Sequence, residues 1–279
     1  MSLFSLEAKD YSIIRPFLIS DHLILNIEPI INGSFKGKIW VDNIKDPNLV
    51  YIFDTRHAHF LLGDLNNNLL KEKFLNFFRN DILSDLKLHK KFLSLLYSET
   101  WNKIIPDIKT DLIIEPITIT RLLHVINNLK FTNWHEMVPK GIVIEQISRD
   151  VIHRDNLLNL KGLKEELQYM WGDFNNFFKF GFGIIARTED HVAGWCLGEY
   201  FSEIKGIKIF GIGIETYQKF QRKNIATLMA SALIELGIEE GYKIYWDCAK
   251  NNVASKKTAD KLGFSLVSEY ESLFLTFTS

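Results

Sequence analysis

An α/β fold is what this sequence predicts, and three observations predict it. Short β-branched and aromatic runs bounded by Asn, Asp, Gly and Pro, such as GKIWV at 37–41 and KIYWDC at 243–248, have the pattern of strands. Between such runs, apolar residues recur every three or four positions, the pattern of helices with one buried face. Beyond residue 140 the two patterns alternate as β-α-α-β-β-β-α-β-α-β-β. With 279 residues, 47% of them apolar and 13% aromatic, the chain can build one large core or two modest ones. A polar, aromatic-containing stretch at 130–139, ending at Pro139, divides it into an N-terminal α/β region, 1–135, and a C-terminal domain, 136–279.

In the N-terminal region, 37–41 and LVYIFD at 49–54 read as strands joined by a turn around Asp46-Pro47, and a third follows at 57–62. From Asn66 to Trp101, Leu69, Leu70, Phe74, Phe77, Phe78, Ile82 and Leu86 fall at helical spacing among Lys, Glu, Asp and Asn, which predicts one or two amphipathic helices. After Pro106 a strand is expected at 111–115 and a short helix at 118–129.

The C-terminal pattern is sharper. GIVIEQI at 141–147 reads as a strand and 157–178 as helices; FGIIAR at 182–187 and VAGWCLGEYF at 192–201 read as a hairpin around Thr188-Glu189-Asp190. KIFGIGIET at 208–216 is a further strand. Next, Ile225, Leu228, Met229, Ala232, Leu233 and Leu236 form one apolar helix face, closed by Gly241 where a left-handed residue belongs. KIYWDC is the following strand. Asn252 is a good N-cap for a short helix ending at Gly263, and the last strands begin at Phe264.

Composition narrows the function. The formal net charge is −1, with acids and bases interspersed, so nothing electrostatic points to nucleic acid or to an anionic membrane. The N-terminal twenty residues carry acids and no basic leader, and no run approaches the roughly 18 apolar residues of a membrane span. Two cysteines, Cys196 and Cys248, make no disulfide framework or metal motif, which fits the reducing cytoplasm. His57 and His59 in TRHAHF share a strand face but suggest no third ligand, so no metal is expected. There is no G-x-x-x-x-G-K-[ST], and Gly181-Phe182-Gly183 opens a strand rather than joining strand to helix.

One loop stands out. Gln221 to Thr227 (QRKNIAT) precedes a long helix, whose unsatisfied N–H groups and partial positive charge can hold a pyrophosphate, with Arg222 and Lys223 adding charge at the rim. A plain basic turn is the competing reading. Asn224 stands where such loops usually carry glycine. Asparagine tolerates the left-handed conformation better than other side chains, so the loop can still close.

The strand 208–216, the loop QRKNIA in place of [RQ]-x-x-G-x-[GA], the helix after it and YWDC are followed by N-x-x-S-x-x-x-A-x-x-L-G-F at Asn252, Ser255, Ala259, Leu262, Gly263 and Phe264. Together and in this order they resemble the GNAT N-acetyltransferase superfamily, and within it the branch that includes the zwittermicin-resistance acetyltransferase. The resemblance is firmest over 180–265, weaker over 140–180 and thin in the N-terminal half. It implies a mixed, mostly antiparallel sheet flanked by helices, and leaves open whether the N-terminal region is a degenerate second copy. It implies acetyl-CoA as the acetyl donor. Strand 208–216 would splay from 243–248 and offer the backbone of Ile214 and Thr216 to pantetheine. Gln221, Arg222, Lys223, Asn224, Ile225, Ala226 and Thr227 would hold the pyrophosphate, with Asn252 and Ser255 bordering the same arm. Asn252 equally serves as a helix cap.

Acetyl transfer to an amine needs a base, oxyanion donors and a proton for the departing thiolate. Glu215 and Glu199 are the candidate bases, with Glu203 behind them, and strand alternation sets Glu215 opposite in direction to Ile214 and Thr216. A solvated strand carboxylate is the bland alternative for each. Where relatives carry a tyrosine as the acid, this chain reads Thr258-Ala259; Tyr245 and Cys248 are weak substitutes. The aromatic stretch 169–181 would wall the acceptor cleft or simply pack the core, and Trp246 is expected on the cleft side. The expected reaction is direct transfer in a ternary complex to the primary amine of a small molecule, such as an aminated antibiotic or metabolite, by a monomer or homodimer. A non-catalytic acyl-CoA-binding module and a protein-amine acetyltransferase are the alternatives.

Overall fold

The computed structural model describes residues 3–64, 67–85, 92–97, 99–111, 116–154 and 156–276. Its backbone divides into two compact units, Met1–Arg121 with Glu269–Ser279, and Leu122–Ser268. The pattern reading places the division at 135/136, a little later, and does not return the C-terminal residues to the first unit.

The first unit opens with β1 (Phe4–Ser5), a 3-10 segment (Ala8–Phe17) and α1 (Asp21–Ile31). It continues through β2 (Lys38–Val41), β3 (Leu49–Phe53), β4 (Ala58–Gly63), α2 (Asn68–Phe77), β5 (Phe92–Tyr97) and α3 (Ile105–Asp111). Strands β2, β3 and β4 form an antiparallel meander, and β5 pairs parallel to β4. The sheet is apolar on both faces. Tyr51 and Leu61 pack with Phe74, Phe78 and Trp101 on one side; Val50, Ile52 and Phe60 pack with Ile14, Ile27 and Ile30 on the other. His59 is used structurally, its Nδ1 2.6 Å from the Tyr51 hydroxyl and its ring stacked on Phe53 at 4.4 Å. Burial is the main influence on His57 and pulls its pKa down.

Two elements here depart from expectation. Residues 92–97 lie in the stretch expected to be helical but form β5, with Leu93, Leu95 and Leu96 all buried. An apolar run buried on both faces has no period that separates strand from helix. Residues expected as a short helix at 118–129 form β6 (Ile117–Ile126) instead. Its β-branched residues, ITIT and Val125-Ile126, favour the extended chain over the helical spacing of Leu122, Val125 and Ile126. Of the strand expected at 111–115, Asp111 ends α3 and the remainder lies outside the described residues, as does Leu86 of the expected helical face.

The second unit runs through β7 (Val143–Gln146), α4 (Arg149–Ile152), α5 (Leu160–Trp171), α6 (Phe174–Phe180), β8 (Gly183–Arg187) and β9 (Val192–Ile204). Then come β10 (Ile207–Thr216), α7 (Ile225–Glu239), β11 (Tyr242–Ala249), α8 (Val253–Leu262) and β12 (Phe264–Thr276). Strands β7 to β10 pair antiparallel in chain order, and β11 pairs parallel to β10. Residues 122–126 of β6 lie beyond β11. The expected pair of terminal strands is one continuous strand, β12. Its residues 272–276 pair antiparallel with β5, completing the first unit's sheet.

Each unit thus holds an antiparallel three-strand meander, a helix and a parallel strand: β2-β3-β4-α2-β5 in the first and β8-β9-β10-α7-β11 in the second. The mixed, mostly antiparallel sheets flanked by helices are those the sequence resemblance implies. Helix α7 is the centre of the second core, with Leu228, Met229, Leu233 and Ile234 all buried against the sheet.

Candidate functional site

The site begins with a failure of pairing. The parallel ladder between β10 and β11 runs from Lys208↔Tyr242 to Gly211↔Tyr245 and stops, although β10 continues to Thr216 and β11 to Ala249. Beyond Gly211, β10 stays bonded to β9. A wedge therefore opens between β10 and β11, and it widens into a cleft of about 830 Å³. Ile214 and Thr216 line one wall and Trp246 the other; the loop and start of α7 supply the end wall with Gln221, Arg222, Asn224, Ile225, Ala226 and Thr227. Helix α8 contributes Ala254, Ser255, Thr258 and Lys261, with Asn252 at its cap.

Local hydrogen bonds fix this shape. Asn224 takes φ 64° and ψ 5°, the left-handed conformation that its sequence position demands, and Arg222 also has a positive φ of 61°. The first intrahelical bond of α7 runs from Leu228 N–H to the Asn224 carbonyl, at 3.1 Å. The N–H groups of Ile225, Ala226 and Thr227 precede it and point out of the helix end into the cleft. Gln221 Nε2 donates to the Thr216 carbonyl at 3.0 Å, tying the loop back to the strand. Asn252 caps α8 by accepting from Ser255 N–H at 3.1 Å, and the Trp246 indole donates to Ser255 Oγ at 2.9 Å. The Thr216 hydroxyl is buried in this wall with no hydrogen-bond partner among the described residues. Lys223 is not among the lining residues; its ammonium lies 5.6 Å from the centre of the ring of Phe220, which does line the cleft.

The side chains of the two candidate bases lie on the other face of β10, although Glu215 also borders the cleft. Register sets Glu215 opposite Trp195, Gly213 opposite Leu197 and Gly211 opposite Glu199, so these positions share one face. Ile214 and Thr216 are opposite Cys196 and Gly194 on the reverse face, where the Met229 side chain of α7 reaches position 194. This regular pairing ends at Glu199, where β9 bulges: Tyr200, at φ 57°, and Phe201 together oppose Phe210. Gly213 is what lets Glu199 reach over β10, because a Cβ at 213 would overlap the Glu199 carboxylate. Glu199 is partly buried and Glu215 exposed. The neighbouring Cys196 thiol is fully buried, and burial, helped by the Glu199 charge, pushes its pKa well up, so it remains neutral packing.

Tyr217 closes this face. Its ring meets Trp195 edge-on at 5.6 Å, and its hydroxyl donates to the Asn159 carbonyl at 3.0 Å. Partial burial raises the phenol pKa, and the charges of Glu215 and Glu165 raise it further, so the hydroxyl keeps its proton. The cleft is therefore basic and amide-lined at its loop end, and a separate face with carboxylates and aromatic rings lies across the strand from it.

A sequence profile described as GNAT acetyltransferase matches residues 21–273. The chain belongs to the GNAT acetyltransferase family. The protein is therefore an acyltransferase. Along its length this acetyltransferase is 23% identical over 269 residues to an uncharacterized N-acetyltransferase, YdfB, of Bacillus subtilis (strain 168), covering 96% of this chain and 97% of that one. Its fold matches a GCN5-related N-acetyltransferase-like protein from Streptococcus suis 89/1591, with a TM-score of 0.69, 17% identity and coverage of 95% and 98% of the two chains. It also matches a tandem GNAT protein from the clavulanic acid biosynthesis pathway, with a TM-score of 0.59, 9% identity and coverage of 100% and 99%. The tandem arrangement is consistent with the repeated meander-helix-strand order of the two units.

Of the residues expected around the cofactor, the structure gathers all but Lys223 around one cleft. Sequence reading missed Lys261, Ala254 and Tyr217. The first two carried a legible signal: with Ser255 and Thr258, they recur at helical spacing on one face of α8. The structure supplies no phenol at 258–259; the Thr258 hydroxyl donates to the Ala254 carbonyl at 2.9 Å, while Tyr245 and Cys248 are buried in β11.

Proposed function

We propose that the second unit of this acetyltransferase moves an acetyl group from acetyl-CoA to the primary amine of a small molecule, by direct transfer in a ternary complex. The observation that carries this reading is the wedge between β10 and β11. It runs from the separated ends of β10 and β11, with Glu215 on its border, to the amide-rich start of α7. The cleft fits an extended thioester carrier: freed strand backbone and the unpartnered Thr216 hydroxyl for its arm, three helix N–H groups with Arg222 for its phosphates. Acetyl-CoA supplies the activated acyl carbon.

Glu199 takes a proton from the incoming ammonium, directly or through one water, as a C–N bond forms and the C–S bond breaks. Glu215 on the same face adds negative charge that attracts a cationic acceptor, and Trp195 and Tyr217 supply an aromatic edge for its carbon skeleton. No phenol takes the usual acid position, so the thiolate leaves into the open cleft and is protonated there by water. The resemblance to the zwittermicin-resistance branch supports a small, aminated acceptor, and Cys196 and Cys248, both buried and outside any disulfide, suit a cytoplasmic enzyme. Among the described residues no helix is long and apolar enough to cross a membrane.

Isothermal titration with acetyl-CoA, followed by thiol release against panels of small amines and of peptides, tests the reading. Binding in the micromolar range and release with small amines support it. Absence of binding at millimolar acetyl-CoA overturns it, and release with peptides alone reassigns the acceptor.

A further inference from the structure

Asn224 does something at this loop that glycine cannot. Its backbone supplies the left-handed turn, which glycine would supply as well. Its side-chain oxygen, however, accepts a 2.7 Å hydrogen bond from the Lys261 ammonium, reaching across from the last turn of α8. The same ammonium sits 4.7 Å from the centre of the Phe131 ring. Both residues line the cleft. A surface lysine ordinarily samples many rotamers, and fixing it costs side-chain entropy. Here that ordering is already done by Asn224 and Phe131 before any ligand arrives. An ammonium has three N–H donors and no acceptor, so one bond to Asn224 leaves donors for a second, anionic partner. Lys261 is held beside the residue that immediately precedes the three free N–H groups of α7.

We infer that Lys261, positioned by Asn224, is a ligand of the cofactor diphosphate, and that the asparagine stands in the loop to hold this lysine. The inference rests on the acetyl-CoA reading above. It makes Lys261 a binding residue and Asn224 a positioning residue that acts through it.

The test is the affinity of the full chain for acetyl-CoA, for its 3′-dephospho analogue and for S-acetylpantetheine, which lacks the diphosphate. Removing one charge-assisted hydrogen bond with Lys261→Met should weaken acetyl-CoA binding about tenfold. It should weaken the 3′-dephospho analogue by the same factor and leave S-acetylpantetheine unchanged. Lys261→Arg, which keeps the charge, should recover most of the loss. Asn224→Gly should cost about threefold, a smaller part of the same effect. The double variant Asn224→Gly/Lys261→Met should be no weaker than Lys261→Met alone, since Asn224 works through the lysine.

Wild-type protein that fails to bind acetyl-CoA overturns the proposed function and this inference with it. Wild-type binding matched within twofold by Lys261→Met overturns the inference alone. So does a loss that vanishes with the 3′-dephospho analogue, because the lysine would then read the ribose phosphate. Additive losses in the double variant overturn the positioning role of Asn224.

Discussion

At the scale of single residues, the site depends on pairs that are distant in sequence. Glu199 has its place only because residue 213 has no side chain, and β9 bulges immediately after it, where Tyr200 and Phe201 oppose Phe210. Neither fact can be read from the strand pattern, since a bulge shifts alternation by one residue without leaving a compositional mark. The left-handed Asn224, in contrast, was legible: its position before an apolar helix face requires that geometry, and few residues other than glycine accept it. What was not legible was its partner, because Lys261 is brought to it by the packing of α8 on α7. Replacing Glu199 with glutamine removes the proposed base and retains the volume. In steady-state kinetics kcat should fall about a hundredfold or more, with acetyl-CoA affinity unchanged by calorimetry. An equal fall with Glu215→Gln and none with Glu199→Gln would exchange their roles.

At the scale of elements, those with a strong period or clear punctuation were legible: β8, β9, β10, α7, β11 and α8 fall within two or three residues of expectation. Those buried on both faces or at boundaries were not. FLSLLY and ITITRLLHVI have apolar residues at helical and strand spacing at once, and only the neighbouring strands decide between the two. Helix α5 shows how closely an element is fitted to the site. At Gly162 a methyl group would meet the Tyr217 hydroxyl and the Trp195 ring, so this helix lies on its neighbours with no spare room. Gly162→Ala must therefore displace either the helix or Tyr217. Overpacking of this kind costs about 1–3 kcal/mol. The melting temperature should drop, and KM for the amine should rise more than KM for acetyl-CoA, since the disturbed wall faces away from the cofactor cleft. A variant with unchanged melting temperature and unchanged amine KM would show that α5 has slack the packing does not suggest.

At the scale of the molecule, the two units are unequal in what they need. Residues 122–268 are one continuous stretch with their own core and the complete cofactor cleft. The first unit is discontinuous, since β5 pairs with residues 272–276. Among the described residues, the pocket after its β4 is bordered by two carboxylates, Asp42 and Asp64, against one cation, Lys73, a balance that disfavours a diphosphate there. A fragment of residues 122–268 should therefore fold cooperatively and bind acetyl-CoA within about tenfold of the full chain, whereas 1–121 alone should not fold. Circular dichroism melts and calorimetry of the two fragments decide this; a well-folded 1–121 would mean that the returning strand is dispensable.

That returning strand also orders events in time. A chain leaves the ribosome from its N-terminus, and domains ordinarily close in that direction. Here β1 to β5 emerge first, yet β5 keeps an open edge until residues 272–276 have been made. The half synthesised first is therefore the half finished last, and the half with the proposed acetyl-CoA cleft can close while its older neighbour still waits for its final strand.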